Sequence, residues 1–229
     1  MKPLRDWDDL PNFMRTEEVR PYYDILKKHE KELYLKRAFD VVAASILLVL
    51  LAPVMLVIAV WIKLDSPGPV FFRQTRITQY GKEFRIFKFR TMVNNADKLG
   101  SDVTVGGDSR ITKVGSIVRK YRIDEFPQLF NVLLGDMSFV GTRPEVPKYV
   151  SAYSDEMYAT LLLPAGITSK TSIEYKDEDI LLGITDNVDT TYIEHILPEK
   201  MYWNLKSVSE FNAFTELIIM IQTVFAVLK

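Results

Sequence analysis

Two adjacent carboxylates, Asp124 and Glu125, stand beside a group of cations in a short part of the chain. Arg119, Lys120 and Arg122 precede the pair, and Arg143 follows it within a turn-like Gly-Thr-Arg-Pro-Glu sequence. An isolated Asp-Glu pair before a helix is usually only a cap on a solvated face. Fixed cations next to carboxylates can do more, because they spread the charge of phosphate oxygens while a carboxylate attacks phosphorus or holds a metal.

A short helix is predicted directly after this pair. Pro127 stands in its first turn and Gly135 at its end, which are the favoured positions of these residues. The apolar residues between them are Leu129, Phe130, Val132, Leu133 and Leu134. We therefore expect the carboxylates at or just before a helix N-terminus, where unpaired N–H groups suit phosphate oxygens as well as a capping carboxylate.

The composition of the 229-residue chain removes several kinds of chemistry. There is no cysteine, and the two histidines, His29 and His195, lie far apart in the sequence. Disulfides, thiol nucleophiles and Cys/His zinc sites of ordinary spacing are thus excluded. A nucleophile in this chain is expected to be a carboxylate. The formal net charge of -1 says little about partners, because the charges are locally clustered.

An apolar segment from Val41 to Ile62 contains no charged residue. Its length is sufficient for a helix to cross a hydrocarbon layer of ~30 Å. Pro53 near its middle favours a bend, and cations flank both ends, so no charge asymmetry sets an orientation. The residues alone slightly favour a plain span, because membrane helices tolerate proline. A helix that enters, bends and leaves on one side is the alternative.

The segments on either side of this apolar stretch also suit a membrane surface. Residues 1–20 are expected to form a poorly ordered or partner-docking arm, and the basic segment 22–37 a helix on an anionic membrane surface or in solvent. The C-terminal stretch 211–228 keeps helical apolar spacing, so it is expected to lie in the interface or to pack on the domain.

A β-hairpin is predicted after the apolar segment. One strand begins at Val70, and the other runs from Glu83 to Arg90. Period-two spacing places Lys88 and Arg90 on one face, where two cations could hold a diphosphate or a lipid phosphate unless that face is merely solvated. Residues 94–113 are expected to form a loop that could close over substrate.

The central segment resembles the catalytic core of bacterial sugar transferases, the monotopic phosphoglycosyl transferases that start polyprenol-linked glycan assembly. The resemblance lies in RK-x-x-x-DE-x-PQL-x-NVL-x-GDMS-x-VG-x-RPE, with PGPVFFRQTRI, GKEFRIFKFRTM and DSRITKVG upstream. It covers residues 36–150 well. It implies a mostly helical α+β fold with an N-terminal arm and basic amphipathic helix (1–35), a re-entrant helix-break-helix membrane hairpin (36–63) and a small cytoplasmic catalytic domain that contains a short β-hairpin (64–229). It thus favours the hairpin over the span.

The resemblance also implies a reaction. Asp124 would attack the β-phosphate of a UDP-sugar, release UMP and pass the sugar-phosphate to undecaprenyl phosphate. Glu125 would handle a proton or help Asp124 to hold Mg²⁺, while Lys88, Arg90, Arg119 and Arg143 would bind substrate. The location would be the cytoplasmic face of a bacterial inner membrane, with lipid but no nucleic acid as partner; a homodimer is left open. The product would start an exopolysaccharide, capsule, O-antigen or glycoprotein glycan.

This chain departs from the family pattern at several positions. Ala52 stands where a serine often precedes the helix-breaking proline, and Thr142 where relatives usually have proline. The segment SKTSIEYKDED replaces a Gly and Gln-Val-x-Gly-Arg pattern, which affects sugar or base recognition. Two alternatives therefore stay open: a membrane-anchored glycosyltransferase whose carboxylates only bind metal, and a non-catalytic membrane scaffold.

Overall fold

The structure, a computed structural model, describes residues 2–96, 108–174 and 188–228. Most of the predicted loop at 94–113 and part of the SKTSIEYKDED segment lie outside the described residues. Helices and strands follow in this order: α1 (Arg20–Lys28), α2 (Glu30–Asp65), β1 (Phe71–Ile77), β2 (Glu83–Phe89), α3 (Lys113–Lys120), α4 (Gln128–Leu134), β3 (Met137–Val140), α5 (Pro147–Val150), β4 (Ala165–Thr168), α6 (Lys170–Glu174), α7 (Val188–Thr191), α8 (Leu197–Ser209) and α9 (Ala213–Leu228).

Helix α2 continues through Pro53 for 36 residues. Its buried apolar residues are Leu33, Ala44, Met55, Ile58 and Ile62, whereas many others, including Val49, Leu56 and Leu64, are exposed. Within the described part of the chain it is the one helix long and apolar enough to cross a membrane, and only 17% of its most apolar window is buried. The predicted helix-break-helix hairpin is not confirmed, because the helix is continuous where the break was expected.

The predicted β-hairpin is confirmed. Strands β1 and β2 pair antiparallel, with Phe71 opposite Phe89 and Ile77 opposite Glu83. Tyr80 and Gly81 reverse the chain with φ of 61° and 74°. Because side chains alternate along a strand, Phe84 and Ile86 enter the core while their neighbours in β2 point the other way.

The short helix after the carboxylates is also confirmed. Pro127 immediately precedes α4, and Gly135 ends it with φ of 86°. Arg37 of α2 donates hydrogen bonds of 2.6 and 3.0 Å to the carbonyls of Val132 and Leu133 in the last turn of α4. A cation is favourable at this end of a helix, where carbonyls lack partners. The contact ties α4 to α2.

Polar contacts fasten the first half of α2 to two further elements. Asp40, which is 3% exposed, accepts a hydrogen bond of 3.2 Å from the Phe139 N–H in β3. Lys36 donates to the carbonyl of Val140 at 2.9 Å and to Glu216 of α9 at 2.6 Å. Helix α9 buries Ile219 and leaves other apolar side chains exposed, so it packs on the domain along only part of its surface.

The N-terminal residues, for which a poorly ordered or partner-docking arm was expected, pack against the core of the protein itself. Leu4 and Met14 are fully buried in a core that also contains Tyr23 and Leu26 of α1 and Met201 of α8. These apolar residues stand between the acidic residues on which the expectation was based. Their burial stabilises the docked segment, because it removes apolar surface from water.

Candidate active site

Asp124 and Glu125 lie in a 3-10 turn, Ile123–Glu125, between α3 and α4. We call it the carboxylate turn. Arg122, directly before it, has φ of 52°, in the left-handed region that a non-glycine residue seldom adopts. This conformation reverses the chain between the two helices. Strained backbone of this kind is concentrated at functional sites.

Glu125 is buried and held by two cations. Its Oε1 accepts hydrogen bonds from Lys88 of β2 at 3.1 Å and from Arg143 at 3.0 Å. Burial alone would raise the pKa of Glu125, but Lys88, Arg143 and Arg122 together bring it well below its ordinary range. Glu125 is therefore a fixed anion and a weak base.

Asp124 has a different environment although it is the adjacent residue. The nearest cation, Lys88, lies 4.0 Å from its Oδ2, and within the described residues no hydrogen bond to its carboxylate is formed. Burial raises the pKa of Asp124, the charge of Glu125 raises it further, and Lys88, Arg119 and Arg143 oppose the change only in part. Of the two carboxylates, Asp124 is thus the one whose charge the protein stabilises less.

Lys88 is the cation shared by both carboxylates. Its side chain is 20% exposed, and burial lowers its pKa while the charge of Glu125 opposes the change. Arg143 and Arg76 lower it further, because like charges disfavour the cation. A phosphate group entering the site would relieve this repulsion.

The structure brings most of the predicted site residues together. Lys88, Arg119 and Arg143 all act on the charge of Asp124. Arg90 is not among the charges that shift the pKa of Asp124, and its substrate-binding role stays a prediction. It lies just past the end of β2, is 5% exposed, and donates to the carbonyls of Ile62, Ser66 and Pro67. Its guanidinium closes the turn after α2.

The sequence patterns predicted no role for Asn131. This residue of α4 is fully buried; its Oδ1 accepts from the Phe87 N–H at 2.8 Å and its Nδ2 donates to the Arg85 carbonyl at 3.1 Å. The side-chain amide thus pairs with β2 as a neighbouring strand would. It fixes α4, which follows the carboxylate turn, against the strand that carries Lys88. A polar residue within an apolar helical series was the signal for it.

The donor set of the carboxylate turn fits Mg²⁺ in the presence of phosphate. Within the described residues, no group donates a hydrogen bond to Oε2 of Glu125 or to Asp124. Mg²⁺ is commonly held by one or two carboxylates together with substrate phosphate oxygens. In those same parts of the chain, no group of three or more His, Cys, Asp or Glu residues could hold a metal, so the phosphate oxygens would be needed.

Comparison with known proteins decides the family. The model of the bacterial sugar transferase family matches residues 31–229. The chain belongs to the bacterial sugar transferase family. The match includes α2, the hairpin and the carboxylate turn.

Among the relatives of this bacterial sugar transferase, one of Aeromonas hydrophila is named UDP-N-acetylgalactosamine-undecaprenyl-phosphate N-acetylgalactosaminephosphotransferase; it is 37% identical over 85% of this chain and 44% of its own length. A UDP-glucose:undecaprenyl-phosphate glucose-1-phosphate transferase of Escherichia coli is 36% identical over 90% of this chain and 43% of its own length. One of the same name from Caulobacter vibrioides is 52% identical over 52% of this chain and 45% of its own length. The chain thus spans less than half the length of these relatives.

Proposed function

We propose that this protein transfers a sugar-1-phosphate from a UDP-sugar to a polyprenyl phosphate, with Asp124 as the nucleophile. The observation that carries the proposal is the unequal treatment of two adjacent carboxylates: Glu125 is fixed by Lys88 and Arg143, whereas Asp124 accepts no hydrogen bond within the described residues. The names of the relatives, which specify transfer to undecaprenyl phosphate, support the choice of acceptor and donor.

In the first step, an oxygen of Asp124 attacks the β-phosphorus of the donor. The bond between this phosphorus and the bridging oxygen breaks, and UMP leaves with the electron pair. Attack of an anion on a diphosphate needs nearby cations, and Lys88, Arg119 and Arg143 are those that act on Asp124. A carboxylate that is already ionised requires no base to become a nucleophile.

In the second step, a phosphate oxygen of the polyprenyl phosphate attacks the same phosphorus. The bond to Asp124 breaks, and the free carboxylate and the diphosphate-linked sugar result. The acceptor oxygen is itself ionised near neutral pH, so no strong base is needed. This agrees with the low pKa of Glu125, a consequence of Lys88, Arg143 and Arg122 that outweighs its burial.

Glu125 is therefore assigned to positioning and metal binding rather than to proton transfer. Its Oε2 and the Asp124 carboxylate would hold Mg²⁺ together with the diphosphate oxygens. When bound there, Mg²⁺ supplies neutralisation of phosphate charge. The chain's own contribution is to keep Glu125 oriented through the two hydrogen bonds to its Oε1.

We further propose that the protein acts on the cytoplasmic face of a bacterial membrane, with the continuous helix α2 lying along that face so that both of its ends are on the same side. Asp40, near the start of the apolar segment, binds the Phe139 N–H. Asp65, at the other end of α2, binds the Val114 N–H at 3.2 Å. Because both ends contact one domain, a straight crossing would place part of that domain in lipid. Its exposed polar backbone and charges make that arrangement unfavourable.

The decisive experiment incubates the protein with a UDP-sugar and Mg²⁺ but no acceptor. Intact-mass analysis should show a sugar-phosphate adduct, and about one equivalent of UMP should be released. Asp124→Asn should form no adduct and lower turnover by at least ~10³-fold. Asp24→Asn is the matched control, because Asp24 is an exposed residue of α1 paired with Arg20. Product formation without an adduct in the wild-type protein would refute the proposal.

The same assay distinguishes the alternatives. Release of UDP in place of UMP would indicate ordinary glycosyl transfer with metal-binding carboxylates. Absence of any nucleotide product across a panel of UDP-sugars would favour a scaffold. Tags at the two ends of the chain should be accessible from the same side of the membrane; opposite accessibility would mean that α2 spans it.

A further inference from the structure

Two arginines are held together on the outer face of the β-hairpin. Arg73 and Arg85 are diagonal neighbours across the strand pair. The Nη2 of Arg73 donates to the Arg85 carbonyl at 3.1 Å, and the Nη2 of Arg85 donates to the Arg73 carbonyl at 3.3 Å. These reciprocal bonds keep two cationic side chains at a fixed separation, with most of their N–H donors left over.

The charge of this pair is incompletely balanced by the protein. Asp136 is the carboxylate whose charge acts on Arg73, but it also forms a 3.0 Å ion pair with Lys82. The Nε of Arg73 is buried and has no hydrogen-bond acceptor within the described residues. Burial lowers the pKa of Arg73 and repulsion from Arg85 lowers it further. Like charges placed as cross-strand neighbours destabilise a sheet, and a bound anion would remove that cost.

Aromatic side chains surround the arginine pair. The guanidinium carbon of Arg73 lies 3.4 Å from the centre of the Phe87 ring. Phe87 in turn contacts Phe71 and Phe130, with ring centres 6.1 and 5.7 Å apart. Phe71 and Phe130 remain 36% and 38% exposed. Cations on a partly exposed aromatic surface suit the boundary between water and hydrocarbon.

We propose that this surface, formed by Arg73, Arg85, Phe71, Phe87 and Phe130 and here called the hairpin face, binds the phosphate group of an anionic membrane lipid. Arginine forks can hold phosphate oxygens in bidentate fashion, which a lysine pair could not do. The exposed rings of Phe71 and Phe130 would contact the apolar part of a lipid, so they favour a phosphate attached to a lipid over a phosphate ion free in water.

The hairpin face is separate from the carboxylate turn. Lys88, which contacts Glu125, alternates with Phe87 and therefore points to the opposite side of β2. One strand thus presents a catalytic-site cation on one face and the lipid phosphate site on the other. Binding there would give the domain a second attachment point besides α2 and so fix its rotation relative to the bilayer. The inference does not depend on the transfer reaction proposed above.

The test uses the full chain in a neutral detergent, titrated with a short-chain phosphatidylglycerol, with the matching phosphatidylcholine, and with inorganic phosphate. We expect phosphatidylglycerol to bind more tightly than the other two. The double variant Arg73→Gln/Arg85→Gln should bind it at least ~10-fold more weakly, since each lost charge-assisted hydrogen bond costs that much or more. Arg20→Gln/Lys206→Gln, which removes equal charge from α1 and α8, should bind it as the wild type does.

The proposal would be overturned by equal binding of both lipids, by unchanged binding in the double variant, or by an equal loss in the control variant. Inorganic phosphate binding as tightly as phosphatidylglycerol would also do so, because the site would then serve a free anion. If the double variant does not fold, Arg85→Gln alone is used. Arg85 is exposed, and its loss should still weaken lipid binding several-fold.

Discussion

Lys88 lies 3.1 Å from Oε1 of Glu125 and 4.0 Å from Oδ2 of Asp124, so a single ammonium group serves two neighbouring carboxylates unequally. The closer contact makes Glu125 a structural anion. The longer one offsets only part of the burial that raises the pKa of Asp124. Substitutions of Asp124 and of Glu125 should therefore have opposite effects on stability and on its dependence on pH.

Replacement of Asp124 by asparagine should stabilise the fold near neutral pH. Burial raises the pKa of Asp124, and a carboxyl whose folded pKa is raised stabilises fully only below its unfolded pKa of ~3.9. Its contribution is lost as pH rises through the folded pKa. Asp124→Asn should therefore raise Tm by a few degrees at pH 7, as ~1 kcal/mol does in a domain of this size. Thermal unfolding in detergent measures it.

The gain in Tm should disappear as pH falls to ~3.9, where the wild-type carboxyl is itself neutral. Asp24→Asn, at an exposed position, should leave Tm almost unchanged at every pH. A lower Tm for Asp124→Asn at pH 7 would mean that the wild-type carboxylate is well stabilised, against the arrangement described here.

Replacement of Glu125 by glutamine should have the opposite effect on stability. Burial opposes ionisation of Glu125, but Lys88, Arg143 and Arg122 lower its pKa overall. A lowered folded pKa means that stability is present above the unfolded value of ~4.3 and is lost as pH falls through the folded one. Glu125→Gln should therefore reduce Tm at pH 7, because Lys88 and Arg143 lose the negative charge that both of them contact. An unchanged Tm would contradict the hydrogen bonds to Oε1.

The acid limb of the pH profile should identify Asp124 as the ionising nucleophile. Burial and the charge of Glu125 raise its pKa, so kcat/KM should fall on the acid side at a higher pH than for an ordinary aspartate. Glu125→Gln removes the neighbouring negative charge and releases Lys88 toward Asp124. Its acid limb should move to lower pH, although the rate itself drops, by ~10²-fold.

The test measures UMP release with donor alone across pH for the wild type and for Glu125→Gln. The two profiles give the acid limb of each protein. Glu83→Gln at the exposed start of β2 should leave the limb where it is. A shift of the Glu125→Gln limb to higher pH would assign the titration to another group.

Asn131 should be essential for the position of Lys88. Asn131→Leu leaves the Phe87 N–H without its acceptor, at ~1–3 kcal/mol for a buried group. It also removes one donor from the Arg85 carbonyl, which keeps its hydrogen bond from Arg73. Denaturant unfolding should show this loss, and kcat should fall in the fraction that remains folded, because β2 is no longer held to α4. The exposed Asn12→Leu is the control. Full stability in Asn131→Leu would show that β2 is held by other contacts.

Substitutions of Arg90 and of Lys88 should distinguish a cation that stabilises the fold from a cation that acts on the substrate. Arg90→Gln removes the bonds to the carbonyls after α2, so Tm should fall while KM for the donor stays unchanged. Lys88→Gln should lower kcat/KM by ~10²–10³-fold, as the loss of a charge-stabilising donor does. Kinetics and thermal unfolding on both variants test this. A raised KM for the donor in Arg90→Gln would support the substrate-binding role predicted for Arg90.

The local elements were largely predictable from the sequence. Pro127 and Gly135 marked α4 because each residue has few compatible backbone conformations, and alternation marked the hairpin. Lys88 and Arg143 were assigned to the site through the family motif, and the structure places both on Glu125. These predictions concern short segments, or a motif of closely spaced residues. The local structure of such segments depends mainly on residues that are near in the sequence.

Long-range relationships were not predictable in the same way. Alternation assigned Arg90 to the face of Lys88, but β2 ends one residue earlier and Arg90 turns to the backbone after α2. The N-terminal residues were expected to form a poorly ordered or partner-docking arm, because their charges obscured Leu4 and Met14, which are buried. Asn131 had no assigned role, since its partners in β2 lie more than forty residues away. Side-chain partners of this kind depend on the tertiary fold.

Hydrogen bonds of Arg37 and Asp40 hold α2 against α4 and β3. The apolar helix α2 and the carboxylate turn are therefore coupled, because α4 directly follows that turn. A thinner or thicker bilayer that shifts the helix would carry the aspartate with it and change its reach toward a headgroup. Hydrocarbon thickness should therefore tune the turnover of this protein even when the chemical composition of the headgroups is held constant.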